Sequence, residues 1–501
     1  MAKAANRMSD VQTTSQTVSE FLSRDHRMLI GGQWCDANSG DTLPAFDPAT
    51  GVEHGRIPAG AADDVDRAVR AARAAFESPA WAGMKPADRQ QLMLNLADLV
   101  EDNAEELIEL ETRDNGKPLA ESKIDVAGVI GVMRYMAGWA TKISGRTTNV
   151  SSPGEHFAYT TKEPVGVVGA IIPWNFPLGM AAWKIVPPLV TGCTVVLKPA
   201  EETSLSILRV AELVEAAGYP PGVLNIVTGR GHEAGAALAS HPGIDKIAFT
   251  GSTEVGRLVA HAAADNLSRV TLELGGKSPV IVLGDYDPAT AANGAAGAIF
   301  FNQGQVCTAG SRLYVHKSIY ENVVADVASI ADSIRLAPGV DPDCQMGPLI
   351  STSQKDRVLG YIDVGVGEGA TQATGRNPTS DGNGYFVSPT VLADTTDSMR
   401  VVNEEIFGPV LVAAPFDDEE EVIRKANSSE YGLAASIWSN DLRKVHRLIP
   451  KIRSGIVWVN THNPVDPSLP FGGVKHSGYG RELGPEQLEA YLETKSVWVS
   501  Y

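Results

Sequence analysis

The sequence predicts an α/β protein: two doubly wound α/β domains, joined to a small β element that lies outside both. Three observations predict it. Between residues 165 and 274, short apolar strands alternate with helical segments. A second series of the same kind starts after Gly275 and runs to about residue 475. Two segments carrying β-branched and aromatic residues, 146–164 and 489–501, fall outside both runs. With 501 residues and 43% apolar composition, the chain is long enough for two or three domains and a large core.

In the first run, "VGVVGAII" reads as a strand, followed by a helix over 178–190. "TVVLKP" is the next strand, and "SLSILRVAELVEAAG" is a helix closed by Gly218, with Pro220 and Pro221 just beyond it. "VLNIV", "KIAF" and "VTLEL" supply three more strands, with helical segments at 233–240 and 252–265 between them. Continuous apolar strands interleaved with helices indicate a parallel sheet covered on both faces. Nucleotides bind at the carboxyl ends of such strands. Upstream, Val65, Ala68, Val69, Ala72, Ala75 and Phe76 share one helical face, and Asp63 and Asp64 suit its N-terminus.

These features assign 28–145 and 165–274 to a nucleotide-binding domain, and 275–488, which opens with "SPVIVL", to the second domain. Segments 146–164 and 489–501 are strands with no obvious partner in either domain, which predicts a homo-oligomer, a dimer or a tetramer. Residues 1–27 are polar, lack the apolar core of a signal peptide and read as a mobile or loosely docked arm. The acidic run "DDEEEV" at 417–422 reads as the first turn of a surface helix.

Composition narrows the function. A net charge of −18 argues against a nucleic-acid partner. The apolar stretches reach only about ten residues where a membrane span needs ~20, so no membrane partner is expected. Cys35, Cys193, Cys307 and Cys344 match neither a metal-ligand spacing nor a disulfide framework. No metal is predicted, and a cytoplasmic, reducing setting is. Buried filler is the starting reading for any one of these thiols.

The motifs are individually weak. "GRGHEAG" at 229–235 resembles a dinucleotide fingerprint but has its last glycine one residue late. "FTGSTEVG" follows a strand and opens a helix, so Gly251 and Ser252 could admit a pyrophosphate to backbone N–H groups, or Ser252 could simply cap the helix. "LKPAEE" places Lys198 and Glu201 at a strand's carboxyl end, where they suit adenosine hydroxyls or a solvated turn. A carboxylate there repels a 2′-phosphate and favours NAD over NADP. "LELGGKSP" puts Glu273 in an apolar strand, either facing solvent or in a site suited to base work. "FFNQGQVCTAG" carries Cys307, and its amide- and glycine-rich approach is expected to leave a substrate room beside the thiol. "PWNFP" offers Asn175 on a rigid turn, with Phe176, Trp183 and Phe471 as pocket walls or simply core.

Together "PWNFP", "KPAEET", "FTGSTEVG", "LELGGKSP", "FFNQGQVC", "EEIFGPV" and "PFGGVKHSGYGRE" resemble the aldehyde dehydrogenase superfamily, over nearly the whole chain from about residue 28. The resemblance implies an aldehyde dehydrogenase-like fold, with a variant Rossmann cofactor domain, a catalytic domain and a small β oligomerisation element. It implies NAD as cofactor and a small-molecule aldehyde as substrate. By position, Cys307 would be the nucleophile, Glu273 the base for deacylation, and Asn175 with the Cys307 N–H the oxyanion hole. Lys184 and Glu482 match positions that would relay protons from Glu273. Lys198 and Glu201 would hold the adenosine ribose, and Gly251 and Ser252 the pyrophosphate. Glu405 and Phe407 would position the nicotinamide ribose, with Trp174 beside the cofactor and Gln354 and Arg357 as a looser ribose contact. Phe176, Met180, Trp183, Phe301, Val306, Val465 and Phe471 would form the substrate pocket.

Within the superfamily, "MRYMAGWATKISG", "AADNLSRVTLELGGK" and the ending "ETKSVWVSY" resemble bacterial phenylacetaldehyde dehydrogenases. Val306 and the segment "THNPVDPSLPF" suit an uncharged aromatic or long aliphatic aldehyde. The competing expectations are a dehydrogenase for benzaldehyde, betaine aldehyde or a long-chain alkanal, and a catalytically silent member of the family.

Overall fold

The computed structural model describes residues 16–377 and 383–501. The first series forms β1 (Met28–Ile30), β2 (Gln33–Cys35), β3 (Val167–Ile171), β4 (Thr194–Lys198), β5 (Leu224–Ile226), β6 (Lys246–Thr250) and β7 (Arg269–Glu273). The second forms β8 (Pro279–Val282), β9 (Arg312–His316), β10 (Thr390–Ala393), β11 (Val410–Phe416), β12 (Ala434–Trp438) and β13 (Ile456–Val459). The helices that matter for the site are α1 (Ala62–Glu77), α2 (Ala104–Asn115), α3 (Leu119–Ala137), α4 (Pro177–Thr191), α5 (Thr253–Asp265), α6 (Pro288–Phe300) and α7 (Glu419–Asn427).

The first sheet runs β7-β6-β3-β4-β5-β1-β2, and its five central strands are parallel. An eighth strand, Gly478–Tyr479, comes from the far end of the chain and pairs antiparallel with β7. The second sheet runs β10-β11-β9-β8-β12-β13, all parallel, with Thr371–Gln372 antiparallel at its edge. Both sheets are covered on two faces, as continuous apolar strands require. Val167, Val196 and Ile247 pack with Val65, Ala68 and Val69 of α1, whereas Val168, Val195 and Leu197 pack with Leu178, Ile185 and Val186 of α4. In the second sheet Val280, Leu313 and Val315 meet α6, and Ile281, Tyr314 and Ile437 meet α7. The strand period of two decides which face each side chain takes.

Helix ends follow local chemistry. The Asp64 carboxylate reaches back to the Ala61 N–H at 3.0 Å, closing the first turn of α1. Pro177 opens α4, and Gly192 ends it at φ +98°. Asp418 caps α7 through the Glu421 N–H at 2.9 Å, so the acidic run is a helix start as expected.

One reading is completed and one changes. The strands His156–Pro164 and Leu492–Ser500 pair with each other antiparallel along their whole length, with Thr147–Thr148 on the far side, so each has a partner within the chain. The N-terminal arm is more firmly docked than its polarity suggests. Residues 16–22 are helical, with Val18, Phe21 and Leu22 buried, and only residues 1–15 of that arm lie outside the described residues. A segment can be polar in composition yet hold three apolar residues on one turn-and-a-half of helix, and composition averages this away.

This anchorage is testable. Phe21→Ala removes a buried ring and is expected to cost about 3 kcal/mol. It should appear as a lower thermal unfolding midpoint, and an unchanged midpoint would mean that the arm is not part of the folded core.

Candidate active site

Cys307 is delivered by α6 and an abrupt turn. After Phe300 the chain enters a 3-10 turn, Phe301–Gly304, in which Asn302, Gln303 and Gly304 all have left-handed backbone, at φ +45°, +56° and +70°. Two of the three carry side chains that disfavour this region, so the turn needs outside support. The Glu121 carboxylate accepts from the Asn302 N–H at 3.0 Å, and Gln305 Oε1 accepts from the Ile350 N–H at 3.0 Å. A Cβ on Gly304 would run into the Gly408 carbonyl. Asn302, Gln303 and Gln305 are fully buried. The amides therefore brace the turn and do not make room for a substrate, which corrects the sequence reading.

Asn175 lies in the turn between β3 and α4. Its Nδ2 donates to the Gln305 carbonyl at 2.8 Å, which places it against the loop that ends in Cys307. Its own carbonyl accepts from Asn302 Nδ2 at 2.9 Å and from Lys117 Nζ at 3.0 Å. Asn115 Nδ2 holds the preceding carbonyl, that of Trp174, at 2.8 Å. Asn115, Lys117, Glu121 and Asn302 were not singled out from the sequence. A signal exists in retrospect: "RDNGKP" crowds polar residues where α2 should meet α3 through an apolar corner.

Glu273 ends β7 and is buried, and among the described residues its Oε2 has no hydrogen-bond partner. Burial and the nearby Glu482 push its carboxyl well above the ordinary range, against the pull of Lys184 and Arg481. Lys184 of α4 and Glu482 form a fully buried ion pair, and Gln487 Nε2 donates to the other Glu482 oxygen at 2.6 Å. The structure thus brings Glu273, Lys184 and Glu482 into one electrostatic cluster. Cys307 belongs to it as well: burial, Glu273 and Glu405 raise its thiol to about 12, while the N–H groups of Thr308 and Cys307 itself pull the other way.

On the other side of the thiol lie the residues expected at the cofactor. Lys198 and Glu201 form a pair at 2.8 Å beyond β4, and the Gly231 N–H donates to Glu201 Oε1 at 3.1 Å. Against the cost of burial, Lys198 and that N–H hold the Glu201 carboxyl below its usual range. Glu405 accepts from the Gly276 N–H at 2.8 Å, and burial raises its carboxyl to about 7. Phe407, at φ +62°, sets its ring edge-on to Trp174 with centroids 5.3 Å apart. The donor set fits an adenosine ribose at Glu201, where the carboxylate is kept ionised beside a lysine. Gly251 is required by local packing, since a Cβ there would strike the Phe249 ring.

Three residues expected at the cofactor also make hydrogen bonds within the chain. Ser252 Oγ caps α5 by accepting from the Val255 N–H at 3.2 Å, the local use of a serine at a helix start. Gln354 donates to the Phe407 carbonyl at 2.8 Å and Arg357 to the Glu405 carbonyl at 2.6 Å. Both side chains thereby clamp the 405–407 loop.

The predicted pocket residues are largely assembled in pairs. Phe176 and Phe301 stack with centroids 6.2 Å apart, and Trp183 meets Phe471 edge-on at 5.0 Å. Lys117 Nζ lies 4.2 Å from the Phe176 ring centre. Met180 packs, half-buried, against the core cluster that contains Phe471. Val306 is buried and lines a pocket with Ile299, Glu405 and Phe407. Val465 remains half exposed. Among the described residues no group of side chains could hold a metal ion.

Sequence and structure comparisons agree with this arrangement. A family model described as the aldehyde dehydrogenase family matches residues 34–497. The chain is 52% identical to a phenylacetaldehyde dehydrogenase of Pseudomonas fluorescens over 486 residues, covering 96% of this chain and 97% of that protein. It is 48% identical to the human mitochondrial aldehyde dehydrogenase over 478 residues, 95% of this chain and 92% of that protein. The NAD+ complex of an aldehyde dehydrogenase from Bacillus cereus superposes with a TM-score of 0.95 at 49% identity, over 97% of this chain and 98% of that one. A thiol, a buried carboxyl and an amide converging between two α/β sheets, in a chain matched end to end at this level, place it in the aldehyde dehydrogenase family.

Proposed function

We propose that this protein oxidises an aldehyde to the carboxylic acid with NAD, that Cys307 forms the covalent intermediate, and that aryl-alkyl aldehydes of the phenylacetaldehyde type are its substrates. One observation carries the proposal: Cys307, Asn175 and Glu273 come from three separate segments, and the carboxyl among them keeps a buried oxygen free of partners.

In this reading the Cys307 sulfur attacks the carbonyl carbon, and the oxygen that becomes negative is held by Asn175 Nδ2 and the Cys307 N–H. NAD, when bound, supplies the hydride acceptor. Loss of hydride from the carbon leaves an acyl thioester on Cys307, whose carbonyl stays in the same oxyanion site. Glu273 Oε2 then takes a proton from a water as that water attacks the thioester, and Cys307 Sγ leaves. The proton passes from Glu273 towards the Lys184–Glu482 pair, the only ion pair of the cluster that is fully buried. Glu201 supports NAD over NADP, because an ionised carboxylate accepts ribose hydroxyls and repels a phosphate.

The aromatic pairs Phe176–Phe301 and Trp183–Phe471 support the substrate class, as does the likeness to the phenylacetaldehyde dehydrogenase. All four cysteines are free, in keeping with a reducing cytoplasm. The small sheet exposes Phe157, Trp498 and Val499, and the outer edge of β13 has no strand partner among the described residues, which supports a homo-oligomer.

Glu273→Gln is expected to form up to one NADH per active site and then turn over at least about 10²-fold more slowly than the parent. Cys307→Ala should form none, and the acyl group should be found by mass spectrometry on the peptide that contains Cys307. Wild-type turnover by Glu273→Gln would remove it as the base. Because burial raises the Glu273 carboxyl, its ionised form is scarce at low pH, so the deacylation rate should climb as pH rises past the ordinary carboxylate range.

For the substrate, phenylacetaldehyde is expected to exceed acetaldehyde in kcat/KM by about 10²-fold, the value of burying a phenyl ring if it carries into the transition state. A panel in which acetaldehyde or betaine aldehyde matched it would overturn the aromatic assignment and leave the reaction type standing. Light scattering is expected to show a multiple of the 53.1 kDa chain mass, and deletion of residues 492–501 should weaken the assembly.

A further inference from the structure

Thr308, the residue after the thiol, is held by one loop on both of its oxygens. Its hydroxyl donates to Asn463 Oδ1 at 3.0 Å, and its carbonyl accepts from His462 Nε2 at 2.8 Å. A carbonyl can only accept, so Nε2 carries the proton. Nδ1 lies 2.9 Å from Ser436 Oγ and is the acceptor of the neutral ring, so the Ser436 hydroxyl donates. The Ser436 oxygen stands 3.1 Å from Trp438 Nε1, an indole nitrogen that can only donate. Every donor direction along Trp438–Ser436–His462–Thr308 is therefore fixed by chemistry.

The chain starts from rigid ground. Ser436 and Trp438 lie on β12, a buried strand of the second sheet paired on both sides, with β8 and β13. The imidazole packs against Trp458 with ring centres 4.7 Å apart, and Gly310 leaves it space, since a Cβ there would come within 3.4 Å of its Cε1. Burial keeps the ring neutral, pushed down to about 4, and no charged side chain contributes to that shift. Asn463 holds its own part of the loop at φ +71°, a region asparagine tolerates better than most.

What this arrangement serves follows from the groups around the sulfur. Glu273 and Glu405 face Cys307 and oppose ionisation, while the Thr308 N–H and the Cys307 N–H favour the thiolate. We infer that His462 is a positioning residue for Cys307: by fixing the Thr308 carbonyl, with Asn463 on the Thr308 hydroxyl, its loop holds in place the residue next to the nucleophile. The inference rests on the reading of Cys307 as the nucleophile. It assigns to a loop distant in sequence a role in preparing the thiol for attack.

The test is the rate of alkylation by iodoacetamide against pH, with the labelled peptide identified by mass spectrometry, in the full-length protein. His462→Leu should move the Cys307 profile to higher pH and slow labelling near pH 7.5 about tenfold, the scale of one hydrogen bond to a charged group. His462→Gln can still donate to the Thr308 carbonyl and accept from Ser436, and should recover most of that loss. Ser436→Ala removes the hydroxyl that donates to Nδ1 and leaves the ring less firmly oriented, so it should shift the profile in the same direction by less. This variant carries the test alone if His462→Leu does not fold. An unmoved profile in a folded His462→Leu or Ser436→Ala, or equal behaviour of the Leu and Gln variants, would overturn the inference while label on Cys307 left the nucleophile standing. Label on Cys35, Cys193 or Cys344 with loss of activity would instead sink the nucleophile reading itself.

Discussion

The pairing of Gly478–Tyr479 with β7 is the contact on which the site depends. It joins Leu272 to Tyr479 and Glu273 to Gly478, at the very end of the last parallel strand of the first sheet. Without it β7 would be an edge, and a carboxyl at its tip would meet water and titrate like any other. Gly478 has φ +109°, and a Cβ on it would collide with the Leu272 carbonyl, so the approach is open to glycine alone. The returning segment then lays Gly472 against Glu273 and pairs Phe471 with Glu482 through two backbone hydrogen bonds of 2.7 Å. One short strand thus seals the proposed base, sets its proton partner and delivers an aromatic wall.

Sealing a carboxyl in this way is costly, and so is burying Lys184 and Glu482 beside it. Desolvation of an ion pair usually consumes most of the attraction gained, and removal of one partner leaves the other stranded. Gln487 lowers that cost by satisfying the second Glu482 oxygen, and it is itself fixed by donating to the Trp183 carbonyl at 2.8 Å. Lys117 shows the same pattern on the opposite flank, paired with Asp125 at 2.5 Å while it holds Asn175. These buried charges stand next to the proposed oxyanion site and the proposed base. Such clustering is better explained by the preparation of a reaction than by stability.

Much of this was legible in the sequence because the signals were local. The strands "TVVLK" and "PVIV" are continuous apolar runs, and a run of that kind can hardly be anything but a covered parallel strand. Cys307, Glu273 and Asn175 were found through family motifs, and the structure brings them to one place. The rest was hidden by distance or by ambiguity. His462 makes its bonds to residues 26 and 154 positions away, which no local pattern records. Gln354 and Arg357 donate to carbonyls 53 and 48 positions away, contacts that their own motif does not announce. The left-handed turn at Asn302 and Gln303 is unreadable because neither residue announces it as glycine would. The arm misled for a simpler reason: its polar average concealed three core residues.

The two flanks also explain why the nucleophile sits in a loop rather than on a helix or strand. Residues 302–305 are fastened to the first sheet through Asn175 and Lys117, and residue 308 is fastened to the second through His462 and β12. Cys307 lies between the two fastenings, so its sulfur is set by both domains at once. A thiol on a regular element would inherit the geometry of one domain only, and small relative shifts of the other would move the amide or the base out of line. Placing it in a strained, doubly held turn transfers the ordering cost to folding, before any substrate arrives. The left-handed backbone that precedes the cysteine is therefore part of the preparation, since only a chain bent that sharply can leave α6 and reach both anchors within a few residues.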